Sequence, residues 1–158
     1  MKMTLVRHTS VDVPKGVCYG QSDVGLRATF AEEAERVREN LKGRKFDAVY
    51  TSPLSRCVKL ASFCGYEDAV RDKRLMEMNF GEWEMQRWDE IKDTRLTEWF
   101  DDWFHVKATG GESSEEQQQR LRQFLEEIRT NDKENVLLFT HGGIMICLLY
   151  TSPSPRDS

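Results

Sequence analysis

The sequence predicts a three-layer α/β/α sandwich: a mainly parallel central sheet with a small helical insertion near residues 85–110. Three observations carry that expectation. Short strand-like apolar runs alternate with longer runs of helical period, the pattern of a parallel sheet covered on both faces. The last such run, Val136-Leu137-Leu138-Phe139-Thr140, is apolar at its first four residues, so both of its faces need cover. The length of 158 residues suits one domain with a sizeable core.

Composition narrows the function classes. A hydrophobic fraction of 39% beside 32% charged residues is ordinary for a soluble protein. The net charge of -4 gives no electrostatic footprint for nucleic acid. No stretch reaches the ~20 apolar residues of a membrane span. Met1-Lys2-Met3 leads straight into a strand rather than a signal peptide, so the expected location is the cytoplasm. Cys57 and Cys64 fall on one helix face and read as buried free thiols. There is no Cys-x-x-Cys pair and there are only 3 histidines, so a zinc site has little to stand on.

The first strand, within Met3-Thr4-Leu5-Val6-Arg7-His8-Thr9-Ser10, runs apolar residues into an arginine, a histidine and two hydroxyls. The carboxyl edge of an open α/β sheet is where ligands bind. Val11 to Leu26, with Pro14, Gly16, Gly20 and Gly25, is too long for a simple connector and reads as a binding loop. A helix follows, with Thr29 and Glu32 as a capping box, an apolar stripe through Phe30, Ala34, Val37 and Leu41, and Gly43 as its stop.

The second strand, Phe46 to Thr51, leads into Ser52-Pro53-Leu54-Ser55-Arg56. Ser52 is expected as the N-cap and Pro53 at the first helical position, which places Arg56 in the first turn. Leu54, Cys57, Val58, Ala61 and Cys64 form that helix's buried face, Gly65 closes it, and a short strand is expected over Ala69 to Arg71. Leu75 to Glu84 has neither period and reads as a structured loop.

From Met85 to Phe104 the pattern turns helical, with Trp88, Ile91, Arg95, Trp99 and Trp103 near one face. These aromatics are expected mainly as the core of the insertion, with ligand stacking the lesser alternative. Gly110-Gly111-Glu112-Ser113 turns into a long helix capped by Ser113 and Glu116, striped by Leu121, Phe124, Leu125 and Ile128. The last strand ends in His141-Gly142-Gly143, and a helix is expected from Ile144.

The final residues do not fit a domain. Pro153-Ser154-Pro155 falls where that helix should continue. The run from Cys147 to Asp157 back-translates in frame to a transposase adapter used in DNA library preparation. The expected organisation is therefore a domain over 1–146 and an adapter-derived tail over 147–158, with the native sequence truncated near Ile146.

Arg7, His8, Arg56 and His141 converge on one sheet edge and suit a phosphoryl group. Arginine recognises phosphate oxygens bidentately. A neutral histidine whose far ring nitrogen holds its proton can attack phosphorus. An acid must then protonate the departing alkoxide, and Glu77, expected in an apolar setting, supplies one.

These stretches resemble the histidine phosphatase (phosphoglycerate-mutase-like) superfamily over Met1 to about Ile146. Leu5-Val6-Arg7-His8 is similar to the signature strand and loop, and Ser52-Pro53-Leu54-Ser55-Arg56 to the second arginine motif. Glu77-x-x-Phe80-Gly81 resembles the acid motif, and Thr140-His141-Gly142-Gly143 the second-histidine motif. The resemblance implies His8 as a nucleophile forming phosphohistidine, Glu77 as proton donor, and Arg7, Arg56 and His141 as phosphate clamp. It implies no metal and no cofactor.

Val17 to Val24 and Met76 to Glu84 resemble the α-ribazole-5′-phosphate phosphatases of cobalamin biosynthesis. That likeness implies a phosphomonoester substrate contacted by Tyr19, Gly20 and Gln21. The alternatives are a phosphoglycerate-mutase-type transferase, a broad-specificity sugar or nucleotide phosphatase, and a truncated, inactive fragment. The short aromatic insertion, without a long lid, favours hydrolysis over a mutase, which must exclude water. Thr9 stands where most members carry glycine, so the turn after His8 is expected to avoid positive φ. Gly25 stands where the family's tight loop often has proline.

Overall fold

The computed structural model describes residues 1–151. Four parallel strands, β1 (Lys2–Arg7), β2 (Ala48–Thr51), β3 (Val70–Arg71) and β4 (Asn135–Thr140), form one sheet in the order β1-β4-β2-β3. The apolar run expected to need cover on both faces is thus the strand with neighbours on both sides. Register brings the strand ends together: Arg7 pairs with Thr140, and Thr51 with Phe139.

Alternation along β4 divides the core. Val136 and Leu138 face α4 (Ser114–Arg129) and α5 (Gly142–Thr151), packing with Leu121, Phe124, Leu125, Ile128, Ile144 and Leu148. Leu137 and Phe139 face α1 (Phe30–Leu41) and α2 (Ser55–Phe63), meeting Ala34, Leu41, Cys57, Leu60 and Ala61. Successive strand residues point to opposite faces, so this apolar strand anchors both layers of the sandwich.

Several local expectations are corrected. Thr29 does not pair with Glu32: its hydroxyl donates to Glu33, whose carboxylate also accepts from the backbone and hydroxyl of Ser10. Ser52 is not an N-cap. The helix begins at Ser55, and Asp23 from the long loop accepts from both the Ser55 N–H and its hydroxyl. The stretch Met85 to Phe104 is not one helix but a 3-10 turn over Trp88–Glu90 and a short α3 (Arg95–Asp101). The reason is local: Met85 adopts φ 65, and Asp93 accepts from Trp83 Nε1, Thr109 Oγ1 and the Arg95 N–H, pinning the chain between the helical turns.

The Ser113–Glu116 capping box forms as expected, and Thr9 is not among the residues with positive φ. Helix α5 starts two residues before Ile144 and runs on to Thr151, with Leu148 in the core. The rest of the segment expected to be adapter-derived, 152–158, lies outside the described residues. Among the described residues no helix is long and apolar enough to cross a membrane.

Candidate active site

The strand ends open onto a cavity of about 860 Å³ lined by Arg7, His8, Tyr19, Arg56 and Glu77, and by an aromatic wall of Phe80, Trp99, Trp103 and Phe104. His141 lies behind it, fully buried, its ring centroid 5.2 Å from that of His8. Residues from positions 7 to 141 therefore meet because β1 and β4 are neighbours ending in register.

His8 leaves β1 with its N–H on the Thr140 carbonyl, and its Nδ1 lies 2.8 Å from the Thr9 carbonyl. A carbonyl only accepts, so Nδ1 carries the proton and Nε2 carries the lone pair. Burial pushes the His8 pKa down to about 4; the Thr9 carbonyl opposes that shift, while the charges of Arg56 and Arg7 add to it. The ring is neutral at pH 7.

His141 Nε2 lies 2.8 Å from Ser52 Oγ. Ser52 Oγ already accepts from the Leu54 N–H at 3.3 Å. Donating its own hydrogen to Nε2 would put the His141 proton on Nδ1, which is buried with no hydrogen-bond partner among the described residues. Burial, then the Arg56 charge, holds this imidazole down at about 2.

Arg56 is fully buried in the first turn of α2. One terminal nitrogen donates to the Ser22 carbonyl at 2.7 Å and the other to the Gly20 carbonyl. Its carbon sits 5.4 Å from the Tyr19 ring centroid, and its Nε is buried and unpartnered. Arg7 is exposed and crosses the start of α5, where a Cβ on Gly142 would lie 3.4 Å from its guanidinium carbon.

Glu77 does not have the apolar setting expected of it. Its carboxylate accepts from the Met78 N–H at 2.9 Å, Gln117 Nε2 at 3.2 Å and the Gly143 N–H at 3.0 Å. Arg120 holds the backbone that carries it, donating to the carbonyls of Arg74, Met76 and Glu77 and to Glu112. A Cβ at 143 would overlap Glu77 Oε1 where it now lies, so the carboxylate keeps this position only beside a glycine.

Of the expected substrate contacts, Tyr19 lines the cavity, whereas Gly20 and Gln21 do not. Their backbone N–H groups instead bond the Glu84 carboxylate. The tryptophans answer both expectations: Trp83 is buried, Trp88 stacks on Trp99 at 5.6 Å, and Trp99 and Trp103 face the cavity. Sequence reasoning missed Ser52, Asp23, Glu84, Gln117 and Arg120 in these supporting places. Their one visible signal is polarity inside otherwise aperiodic or apolar stretches. Among the described residues no group of three or more His, Cys, Asp or Glu is arranged to hold a metal ion.

Two arginines, two imidazoles and a carboxylate thus meet at the carboxyl edge of a parallel sheet in an α/β/α sandwich, an arrangement suited to phosphoryl transfer. Residues 3–152 match the histidine phosphatase superfamily (branch 1), and the chain belongs to that family: it is a phosphatase. A provisionally named phosphoserine phosphatase 2 of Hydrogenobacter thermophilus is 34% identical over 94% of this chain and 78% of its own length. The adenosylcobalamin/alpha-ribazole phosphatase of Escherichia coli is 27% identical over 94% of this chain and 77% of its own. The alpha-ribazole phosphatase of Shigella flexneri, at 24% identity, shares the fold with a TM-score of 0.87 over 99% of this chain and 83% of that one.

Proposed function

We propose that this phosphatase works through a phosphohistidine on His8, with Glu77 as acid and base and Arg7, Arg56 and His141 as phosphate clamp. The observation that carries the reading is the Nδ1 bond to the Thr9 carbonyl, which leaves a neutral, lone-pair-bearing Nε2 beside the two arginines. Nε2 attacks phosphorus and the ester P–O bond breaks. Glu77, entering as the carboxylic acid, gives its proton to the leaving oxygen. Water then attacks the phosphohistidine and yields its proton to the Glu77 carboxylate. The P–N bond breaks, and phosphate leaves with His8 neutral again.

The three N–H donors around Glu77 are the partners of a carboxylate that has given up its proton, ready for that second half. Arg56 Nε and His141 Nδ1, buried donors without partners, suit the equatorial oxygens, where charge grows in the transition state. Acid-quenched enzyme incubated with labelled phosphomonoester should carry label on His8, and His8→Ala should carry none. Label on another residue, or undiminished turnover in the variant, would remove this assignment.

For substrate we propose a 5′-phosphorylated ribose bearing an aromatic base, α-ribazole 5′-phosphate in cobalamin biosynthesis, reached in the cytoplasm. Phe80, Trp99, Trp103, Phe104 and Tyr19 offer faces to a base. The 34% identity to a relative named for phosphoserine supports that ester as a second reading. Against it, Glu77 is the one carboxylate lining the cavity among the described residues, so a serine ammonium would have only the proposed acid there as counter-ion. Specificity constants for α-ribazole 5′-phosphate, O-phosphoserine and 3-phosphoglycerate decide between them. A large advantage for phosphoglycerate would turn the reading to a mutase.

A further inference from the structure

Glu84 stands outside the machinery just described, yet it is the most heavily bonded carboxylate near it. Its two oxygens accept from the N–H of Gly20 at 2.9 Å, of Gln21 at 3.2 Å, of Ser22 at 3.1 Å and of Phe80 at 2.9 Å, and from the Ser22 hydroxyl at 2.6 Å. The carbonyls of two of those same residues, Gly20 and Ser22, face the other way and receive Arg56. The peptide segment 20–22 is therefore a strap with an anion on one side and a buried guanidinium on the other.

We propose that Glu84 is the positioning residue for the Arg56 guanidinium, setting through this strap where its free Nε points in the phosphate site. The inference rests on the reading of Arg56 as part of the clamp. Three features support it. The fit is tight, because a Cβ on Gly20 would overlap the Met78 carbonyl oxygen and lie 2.8 Å from Phe80 Cδ2 and 3.0 Å from Glu84 Oε2. The anion is fixed: burial alone would push the Glu84 carboxyl up, but the Ser22 hydroxyl and the N–H groups of Gly20, Phe80 and Ser22 hold it below its usual range.

The third feature is that among the described residues Arg56 forms no ion pair with a carboxylate, and its two terminal nitrogens bond only the carbonyls of Ser22 and Gly20, beside the Tyr19 ring. Its positive charge is therefore not taken up by a direct carboxylate contact, although Glu77 and Asp23 act on it from a distance. A carboxylate placed directly on the guanidinium would weaken its attraction for a phosphoryl group, whereas one set a peptide away orients it. The Phe80 N–H on the same carboxylate ties the aromatic wall to the strap as well.

The test is a double-mutant cycle in the enzyme, read with nitrophenyl phosphate turnover and with inhibition by inorganic phosphate. Glu84→Gln keeps the shape but turns an amide NH2 toward the strap's N–H groups. It should lower kcat/KM about 10- to 100-fold, at or below the loss from removing an oriented donor outright, and weaken phosphate inhibition in proportion. In an Arg56→Ala background the same substitution should change neither value by more than about twofold, since coupled sites are non-additive. Ser22→Ala removes one of the five donors, and its smaller loss should also vanish without Arg56. It serves if Glu84→Gln does not fold.

Equal losses in both backgrounds would overturn the inference while leaving Arg56 in the clamp. Wild-type kcat/KM and phosphate inhibition in Arg56→Ala alone would overturn the clamp reading, and this inference with it.

Discussion

At the scale of single residues, the roles proposed for His8 and Glu77 predict the pH behaviour and the leaving-group dependence. The proposed nucleophile is the neutral His8 ring, and burial holds its pKa at about 4, helped by Arg56 and Arg7. Activity should therefore persist as pH falls through 6.5, the ordinary histidine value, and decline only near pH 4. A kcat/KM profile with nitrophenyl phosphate checks this; an acid limb near 6.5 would mean that His8 is not the titrating base. Glu77→Gln should slow alkyl phosphates far more than nitrophenyl phosphate, whose phenolate leaves unprotonated. Equal losses on both would show that Glu77 is not the acid. The meeting of His8, Arg56 and His141 was legible in sequence because each sits where an element ends or begins, whereas Glu77 came from a loop without period. Ser52, Glu84 and Arg120 were not legible, because their partners are ring nitrogens or backbone groups brought near only by tertiary contact.

At the scale of elements, the start of α5 and the aromatic insertion carry the consequences. Gly143→Ala puts a methyl where Glu77 Oε1 now lies, so the carboxylate must swing off the Gly143 N–H. We expect the variant to resemble Glu77→Gln in its selective loss on alkyl esters while its melting temperature stays close to wild type. A uniform loss on both ester types would place the damage elsewhere. Trp103 is 56% exposed and lines the cavity. Trp103→Ala should raise KM for an aromatic ribotide several-fold, in line with the ~1 kcal/mol of an aromatic contact, and leave nitrophenyl phosphate kinetics and stability little changed. The insertion was misread as one helix because Trp88, Ile91, Arg95, Trp99 and Trp103 keep helical spacing across a break. The spacing survives because the two short turns present their aromatics to the same cluster, which Asp93 holds from the side. By contrast, β4 and α4 were legible, since a wholly buried strand and a capped, striped helix depend on little beyond their own residues.

At the scale of the whole molecule, His8 and His141 link stability to pH. Both are held below 6.5 in the folded state, His8 at about 4 and His141 at about 2. Below pH 6.5 the unfolded chain takes up protons that the folded chain refuses, so stability falls as pH drops toward 4. The depressed carboxyls give up their contribution only below their unfolded values, 4.5 for Glu84 and 3.8 for Asp72. A window between about pH 6.5 and 5 therefore isolates the histidines. Denaturant unfolding across it should show falling stability in wild type and a shallower slope in His141→Asn. An unchanged slope would mean that His141 titrates alike in both states.

The central place of β4 bears on how the enzyme is made. Its partners β1 and β2 leave the ribosome more than 80 residues before it does, and they are not paired with one another. At ~5–20 residues per second, several seconds pass in which two strand edges stand open to stray pairing. Threading the last strand between them is a distant closure, the slow kind in folding. The His8 N–H has the Thr140 carbonyl as its partner only once β4 has formed. Until β4 is in place, the residues of the candidate site at the ends of β1, β2 and β4 cannot meet.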